Sequence, residues 1–332
     1  QKYMETKEQY KDCILFYRLG DFYEMFFDDA LVASKELEIT LTGKSCGLEE
    51  RAPMCGIPYH AVEGYLSKLV SRGYKVAICE QVEDPKLAKG LVKREVIRVV
   101  TPGTNLNVQS LEAGKNNYLL SIAYTPDGIG ISAADVTTGD YYVTEVEDLK
   151  KLNDELMKYE PSEIICNEAF LVSGFDVNDL KSRLHISVNA LESHMFDDDG
   201  CRRILMKHFK VNTLIGLGVE EFPTGLLAAG ALLQYLYDTQ KTDLEHFTHI
   251  YPYLTSKYML LDSSTRRNLE LTETLREKQK RGSLLWVLDK TKTAMGARLL
   301  RNYIEQPLIE KDEMEKRLDA IQELNQDSIS RD

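Results

Sequence analysis

The stretch Leu15-Phe16-Tyr17-Arg18-Leu19-Gly20-Asp21-Phe22-Tyr23-Glu24-Met25-Phe26 decides how the chain is read. Ile14 to Leu19 is a short apolar run of strand type, and Gly20-Asp21 is a turn signal. Phe26, Ala30, Ala33 and Leu37 then recur at helical spacing. The pattern predicts strand, turn and helix, with Asp21 as the helix cap and Phe26 and Phe27 in the core. Phe22 falls at the predicted junction, where an aromatic ring can stand exposed. Spacing alone leaves two readings open: an ordinary core ring, or a ring that wedges between base steps while Glu24 hydrogen-bonds the displaced base.

Working outward, Val62, Tyr65, Leu66 and Leu69 predict a second helix, and Gly73 stands where a C-terminal cap would. Tyr74 to Cys79 and Val92 to Val100 read as strands. This first unit, residues 1–104, is mixed α/β and closes at Thr101-Pro102-Gly103-Thr104. Residues 105–115 are polar and unpatterned, as a linker is. Tyr118 to Tyr124, Ile129 to Val136 and Tyr141 to Val146 then predict an antiparallel meander, with turns at Asp127-Gly128 and Thr138-Gly139-Asp140. A helix at Glu147 to Tyr159 and a strand at Glu163 to Cys166 make residues 116–244 a second α/β unit, ending in a helix near Gly225 to Gln240. Residues 245–332 read as all-α. Leu284, Leu288, Met295, Leu299 and Tyr303 form one long stripe, and Met314, Leu318, Ile321 and Leu324 another. That last face has nothing to pack on, so the expectation is a truncated helical region. The fold class predicted is α/β multidomain followed by an all-α segment.

With 332 residues, 43% of them hydrophobic, the chain can bury a core and fill two or three domains. The net charge of −12 argues against nucleic acid, but its distribution softens that: residues 1–100 hold 15 Lys+Arg against 16 Asp+Glu, and the acidity lies beyond them. No stretch has the length of a membrane span, and Leu226 to Leu236, the richest run, reads as a buried helix. Gln1 to Lys11 is too polar for a signal peptide. Six scattered cysteines without a Cys-x-x-Cys pair predict a reduced, cytoplasmic protein.

Three motifs compete for a catalytic reading. Thr42-Gly43-Lys44-Ser45 imitates the end of a phosphate loop, but Glu38 stands where the leading glycine belongs, so Lys44 is better read as a basic residue available to a DNA phosphate. Cys46, Cys55 and His60 match no zinc spacing and lack a fourth ligand. Asp135 and Asp140 flank a strand end, where a metal-dependent nuclease would hold Mg²⁺; turn formation explains them equally well. That nuclease is the alternative function.

The opening stretch resembles the mismatch-recognition signature of the MutS family of DNA mismatch-repair proteins, whose core is Phe-x-Glu. Further family motifs follow in order: Pro53-Met54-Cys55-Gly56-Ile57-Pro58-Tyr59-His60-Ala61, Val76-Ala77-Ile78-Cys79-Glu80-Gln81, Val99-Val100-Thr101-Pro102-Gly103-Thr104, Asp135-Val136-Thr137-Thr138-Gly139, Leu232-Leu233-Gln234-Tyr235 and Leu261-Asp262-Ser263-Ser264-Thr265-Arg266-Arg267-Asn268-Leu269-Glu270. The resemblance covers essentially the whole chain. It implies a mismatch-recognition domain, an RNase H-like connector domain that is not catalytic, and the start of a helical core or lever domain. By the same resemblance, Phe22 wedges beside the mispaired base, Glu24 contacts that base, and Tyr23, Lys44, Pro53 and Met54 lie near the minor groove. The implied partners are mismatched double-stranded DNA, a MutL-type protein on the connector, and a second copy in a homodimer. The clamp and the ATPase, with its ATP and Mg²⁺, are expected beyond Asp332, so this chain is expected to be neither an enzyme nor a cofactor binder.

Overall fold

The computed structural model describes residues 2–45, 51–83, 92–106 and 114–327. The first unit runs α1 (Lys2–Gln9), β1 (Cys13–Leu19), β2 (Phe22–Phe26), α2 (Phe27–Leu37), β3 (Thr42–Lys44), β4 (Ala52–Pro58), α3 (Val62–Val70), β5 (Lys75–Gln81) and β6 (Arg94–Val100). Its strands form one sheet in the order β3-β4-β2-β1-β5-β6. The helix expected directly after Gly20-Asp21 is instead a strand. Asp21 caps nothing: Leu19 pairs with Phe22, so Gly20 and Asp21 are a two-residue hairpin loop. Gly20 takes φ +60 at the first central position, which a side chain would strain. The helix starts only at Phe27. The strands β3 and β4 were not anticipated either.

Alternation along the strands sorts the side chains to two faces. Ile14, Phe16, Tyr23, Met25, Cys55 and Ile57 pack under Ala30, Ala33 and Leu37 of α2 and Leu66 and Leu69 of α3. On the opposite face Cys13, Leu15 and Tyr17 meet Tyr3 of α1 and Tyr10. The buried Asp29 holds α1 there, accepting from Lys7 Nζ at 2.9 Å, Tyr3 Oη at 3.0 Å and the Leu15 amide at 3.0 Å.

The second unit contains β7 (Leu119–Thr125), β8 (Gly128–Asp135), β9 (Asp140–Val146), α4 (Leu149–Tyr159), β10 (Glu163–Cys166), α5 (Glu168–Leu171), α6 (Val177–Ser182), β11 (Ser187–Ala190), α7 (Asp198–Phe209), α8 (Pro223–Gln240) and β12 (Tyr251–Pro252). The order is β11-β10-β7-β8-β9-β12. Strands β7, β8 and β9 form the antiparallel meander, and β10 and β11 add parallel to β7. This meander extended by parallel strands is the order an RNase H-like sheet requires. Asp148 caps α4 by accepting from the Lys151 amide at 2.8 Å. The apolar helix α8 lies across the sheet with Leu226, Leu232, Leu233 and Leu236 fully buried. Residues past the expected limit at 244 still belong to this core: Phe247 and Ile250 are buried in it, and β12 pairs with β9.

Glu163 is entirely buried where the two sheets meet. One oxygen accepts from the Gly103 amide at 3.0 Å, the other from Tyr235 Oη at 2.6 Å and Asn189 Nδ2 at 3.3 Å. Gly103 sits so close that a Cβ there would lie 2.8 Å from Leu119 Cβ. Residues 107–113, inside the expected linker, lie outside the described residues.

The remainder is α9 (Ser263–Asn268), α10 (Leu284–Leu288), α11 (Ala294–Glu305) and α12 (Lys311–Gln326). The single stripe expected from Leu284 to Tyr303 is broken into two helices. Ser283 caps α10 and Thr293 caps α11, their hydroxyls accepting from Trp286 N at 3.2 Å and Gly296 N at 3.0 Å, so each helix starts at its own cap.

Candidate nucleic-acid interface

The hairpin loop puts Phe22 at the tip of the β1–β2 ribbon, 47% exposed, although Tyr23, the next residue, is in the core. Register then settles which expected site residues share its face. Phe22 pairs with Pro58, Glu24 with Gly56 and Phe26 with Met54; Thr42 pairs with Met54 and Lys44 with Ala52. Phe22, Glu24, Lys44 and Met54 therefore lie on one face. Gly56 stands between the first two without a side chain; a Cβ there would lie 3.7 Å from Glu24 Cγ and 3.9 Å from the Phe22 ring. Glu24 is held across the sheet: its Oε2 accepts from Lys44 Nζ at 2.6 Å. The ammonium also lies 5.6 Å from the centre of the Phe26 ring.

Two expected site residues fall elsewhere. Tyr23 is 5% exposed on the helix-covered face, as strand alternation demands of the residue between Phe22 and Glu24. Its phenol donates to Glu80, and burial followed by that carboxylate pushes its pKa up. Tyr23 is thus a core residue on the face opposite Phe22. Pro53 pairs with Gly43 and so faces away from Phe22 as well. Arg18 and Tyr59, which the motif reading passed over, flank the tip. The Arg18 guanidinium sits 3.9 Å over the Tyr59 ring, and the Tyr59 amide donates to Asp21 O at 3.0 Å. Both lie inside quoted motifs, but nothing in their spacing marks them.

The other motifs resolve into ordinary structure. Thr42-Gly43-Lys44 is an edge strand and not a loop leading into a helix, so it does not fit a phosphate-binding loop. Cys46 lies outside the described residues; Cys55 is buried and His60 exposed. Asp135 and Asp140 close the β8–β9 hairpin. Asp135 accepts from Thr137 N at 2.8 Å, Asn117 N at 3.0 Å and Asn116 Nδ2 at 2.8 Å, and Asp140 accepts from Asn116 Nδ2 at 3.0 Å and Thr138 Oγ1 at 2.8 Å. These carboxylates staple a turn, and among the described residues no group of three His, Cys, Asp or Glu is placed to hold a metal ion. The described cysteines, Cys13, Cys55, Cys79, Cys166 and Cys201, are free and buried. No described helix is long and apolar enough to cross a membrane.

Three family models match the chain in order: MutS domain I over residues 1–109, MutS domain II over 117–248 and MutS domain III over 264–332. Among curated relatives, the DNA mismatch repair protein MutS of Lachnoclostridium phytofermentans is 68% identical over 332 residues, covering 100% of this chain and 36% of the relative. Its namesakes from Ruminiclostridium cellulolyticum and Acetivibrio thermocellus are 54% and 53% identical, each over 98% of this chain and over 37% and 38% of themselves. The chain therefore spans little more than a third of the length of the relatives it matches.

Proposed function

The chain belongs to the MutS family, and from that premise we propose that its first unit reads mismatched double-stranded DNA, with Phe22 wedged from the minor groove beside the mispaired base and Glu24 accepting a hydrogen bond from it. The observation that carries this reading is the exposed ring of Phe22 at a hairpin tip, with the Glu24 carboxylate next on the same face. A wedge between base steps must unstack them, at about a few kcal/mol per step. A mismatched step is already weakly stacked, so the same deformation costs less there. Discrimination then comes from deformability, with Phe22 as the probe and Glu24 fixing which base is displaced. Family membership supports the rest of the proposed assembly: a homodimer in which one copy inserts its Phe22, a MutL-type partner on the second unit, and ATP with Mg²⁺ bound by residues outside this chain. The nuclease alternative has no support in the geometry of Asp135 and Asp140.

The test compares two duplexes identical except for one mispair, at two salt concentrations. Both affinities should fall as salt rises, because phosphate contacts release counterions, while their ratio should hold, because the wedge is not ionic. Equal affinity for the two duplexes at both salts would refute the proposal.

A further inference from the structure

We infer that Lys44 is a positioning residue for Glu24, holding its carboxylate on the open face and offsetting its charge against the duplex, so that mismatch preference depends on Lys44 through Glu24. The inference rests on the reading of Phe22 and Glu24 above. A lysine that serves only a phosphate would extend toward solvent. Here Nζ lies 2.6 Å from Glu24 Oε2, with the lysine side chain 43% exposed and that of Glu24 16% exposed.

The two residues do not meet through local sequence. Lys44 sits on the edge strand β3 and Glu24 on β2, with β4 between them. The registers Lys44↔Ala52 and Glu24↔Gly56 make the contact diagonal. Ala52 and Gly56, on either side of Met54 on this face, leave the stem room to cross. The consequence is chemical as well as geometric. A glutamate on an open strand face samples several rotamers and repels phosphates in all of them. Pinned by Lys44 it keeps one orientation, and the pair is neutral to the approaching backbone. Because Lys44 engages Oε2, Oε1 is the oxygen offered to a donor on the displaced base.

A double-mutant cycle tests this on the 332-residue chain, with mismatched and matched duplexes titrated by NMR chemical shift so that weak binding is still read. Lys44→Met keeps the aliphatic stem, Lys44→Arg keeps a cation, and Glu24→Ala removes the carboxylate. Contacting residues couple strongly enough to change an equilibrium by at least about twofold, so Lys44→Met should lower the mismatch-to-match ratio by roughly three- to tenfold. Lys44→Arg should restore most of it. In the Glu24→Ala background the same Lys44→Met change should leave the ratio unaltered. If Lys44→Met weakens both duplexes equally in either background, while Glu24→Ala alone lowers the ratio, Lys44 is a phosphate contact and this inference is overturned. If Glu24→Ala leaves the ratio unchanged, or the unaltered chain binds neither duplex, the reading of the site itself fails, and this inference with it.

Discussion

Replacing Phe22 with alanine separates a wedge from a core ring, because the two roles predict opposite results for stability and for binding. Phe22 is 47% exposed, whereas Phe16, on the neighbouring strand and the opposite face, is fully buried. Fully burying a phenylalanine contributes about 1.5–3 kcal/mol, so the half-buried ring contributes roughly 1 kcal/mol. Losing the strand preference of an aromatic adds up to about 1 kcal/mol. At a surface tip no cavity is left behind, so Phe22→Ala should destabilise the first unit by only about 1–2 kcal/mol. Phe16→Ala, which does leave a cavity, should cost about 3–5 kcal/mol. In binding the ranking reverses. One stacked ring contributes ~1–3 kcal/mol, so Phe22→Ala should lower the mismatch-to-match ratio by roughly five- to a hundredfold. Urea denaturation followed by circular dichroism gives the first quantity and duplex titration the second. Destabilisation equal to that of Phe16→Ala, or an intact mismatch preference in a folded Phe22→Ala chain, would show that Phe22 is not the wedge.

Other consequences follow from the packing. Tyr23→Phe removes the phenol that donates to Glu80, so it should lower stability by about 1–3 kcal/mol and leave mismatch preference untouched; a fall in preference would return Tyr23 to the interface. Gly130→Ala places a Cβ 1.9 Å from the Thr224 carbonyl oxygen, which forces the first turn of α8 off the sheet. The penalty should exceed about 2 kcal/mol, and a chain with unchanged unfolding would refute that packing. Glu305 is pushed up to about 7, chiefly by burial, with Glu160 adding to the shift and Arg301, Arg266 and Lys115 opposing it. A carboxyl whose folded pKa lies above its ordinary 4.5 binds its proton more tightly when folded. Its contribution is therefore complete below pH 4.5 and lost as pH rises to about 7. Unfolding followed at Trp286, the sole tryptophan, should show stability falling by on the order of a few kcal/mol over that window, and Glu305→Gln should flatten the slope.

The second unit was the more legible part of the sequence. Its meander is punctuated by Asp127-Gly128 and Thr138-Gly139-Asp140, and α4 opens on an aspartate cap, so local chemistry and tertiary structure agree. The tip was harder. Phe22-Tyr23-Glu24-Met25-Phe26 does alternate, with Tyr23 and Met25 buried around a part-exposed Glu24, but aromatic residues on both faces hide the period of two. The helical spacing that begins at Phe26 then draws the boundary too early. Which site residues share a face depends on the register of β2 with β4, a non-local fact that motif spacing does not carry. For the same reason the Glu24–Lys44 pair was invisible, and Tyr23 and Pro53, which the family resemblance implied for the groove, could not be sorted to the other face.

Exchanging domains between relatives is an ordinary way to ask which part of a multidomain protein sets its specificity, and Glu163 dictates where the cut has to fall. A crossover after Thr104 carries the Gly103 amide with the first unit and leaves its acceptor behind on β10. A recipient with an apolar residue in place of Glu163 would bury that amide unpaired, at about 1–3 kcal/mol. A donor with any side chain in place of Gly103 would drive it into Leu119. Where relatives differ at these positions, Glu163, Leu119 and Tyr235 must therefore travel with the first unit, although Glu163 and Tyr235 are far from it in sequence. The unit of inheritance is therefore larger than the first sheet itself, and chimeras cut at the linker would report strain at this carboxylate as a change in specificity.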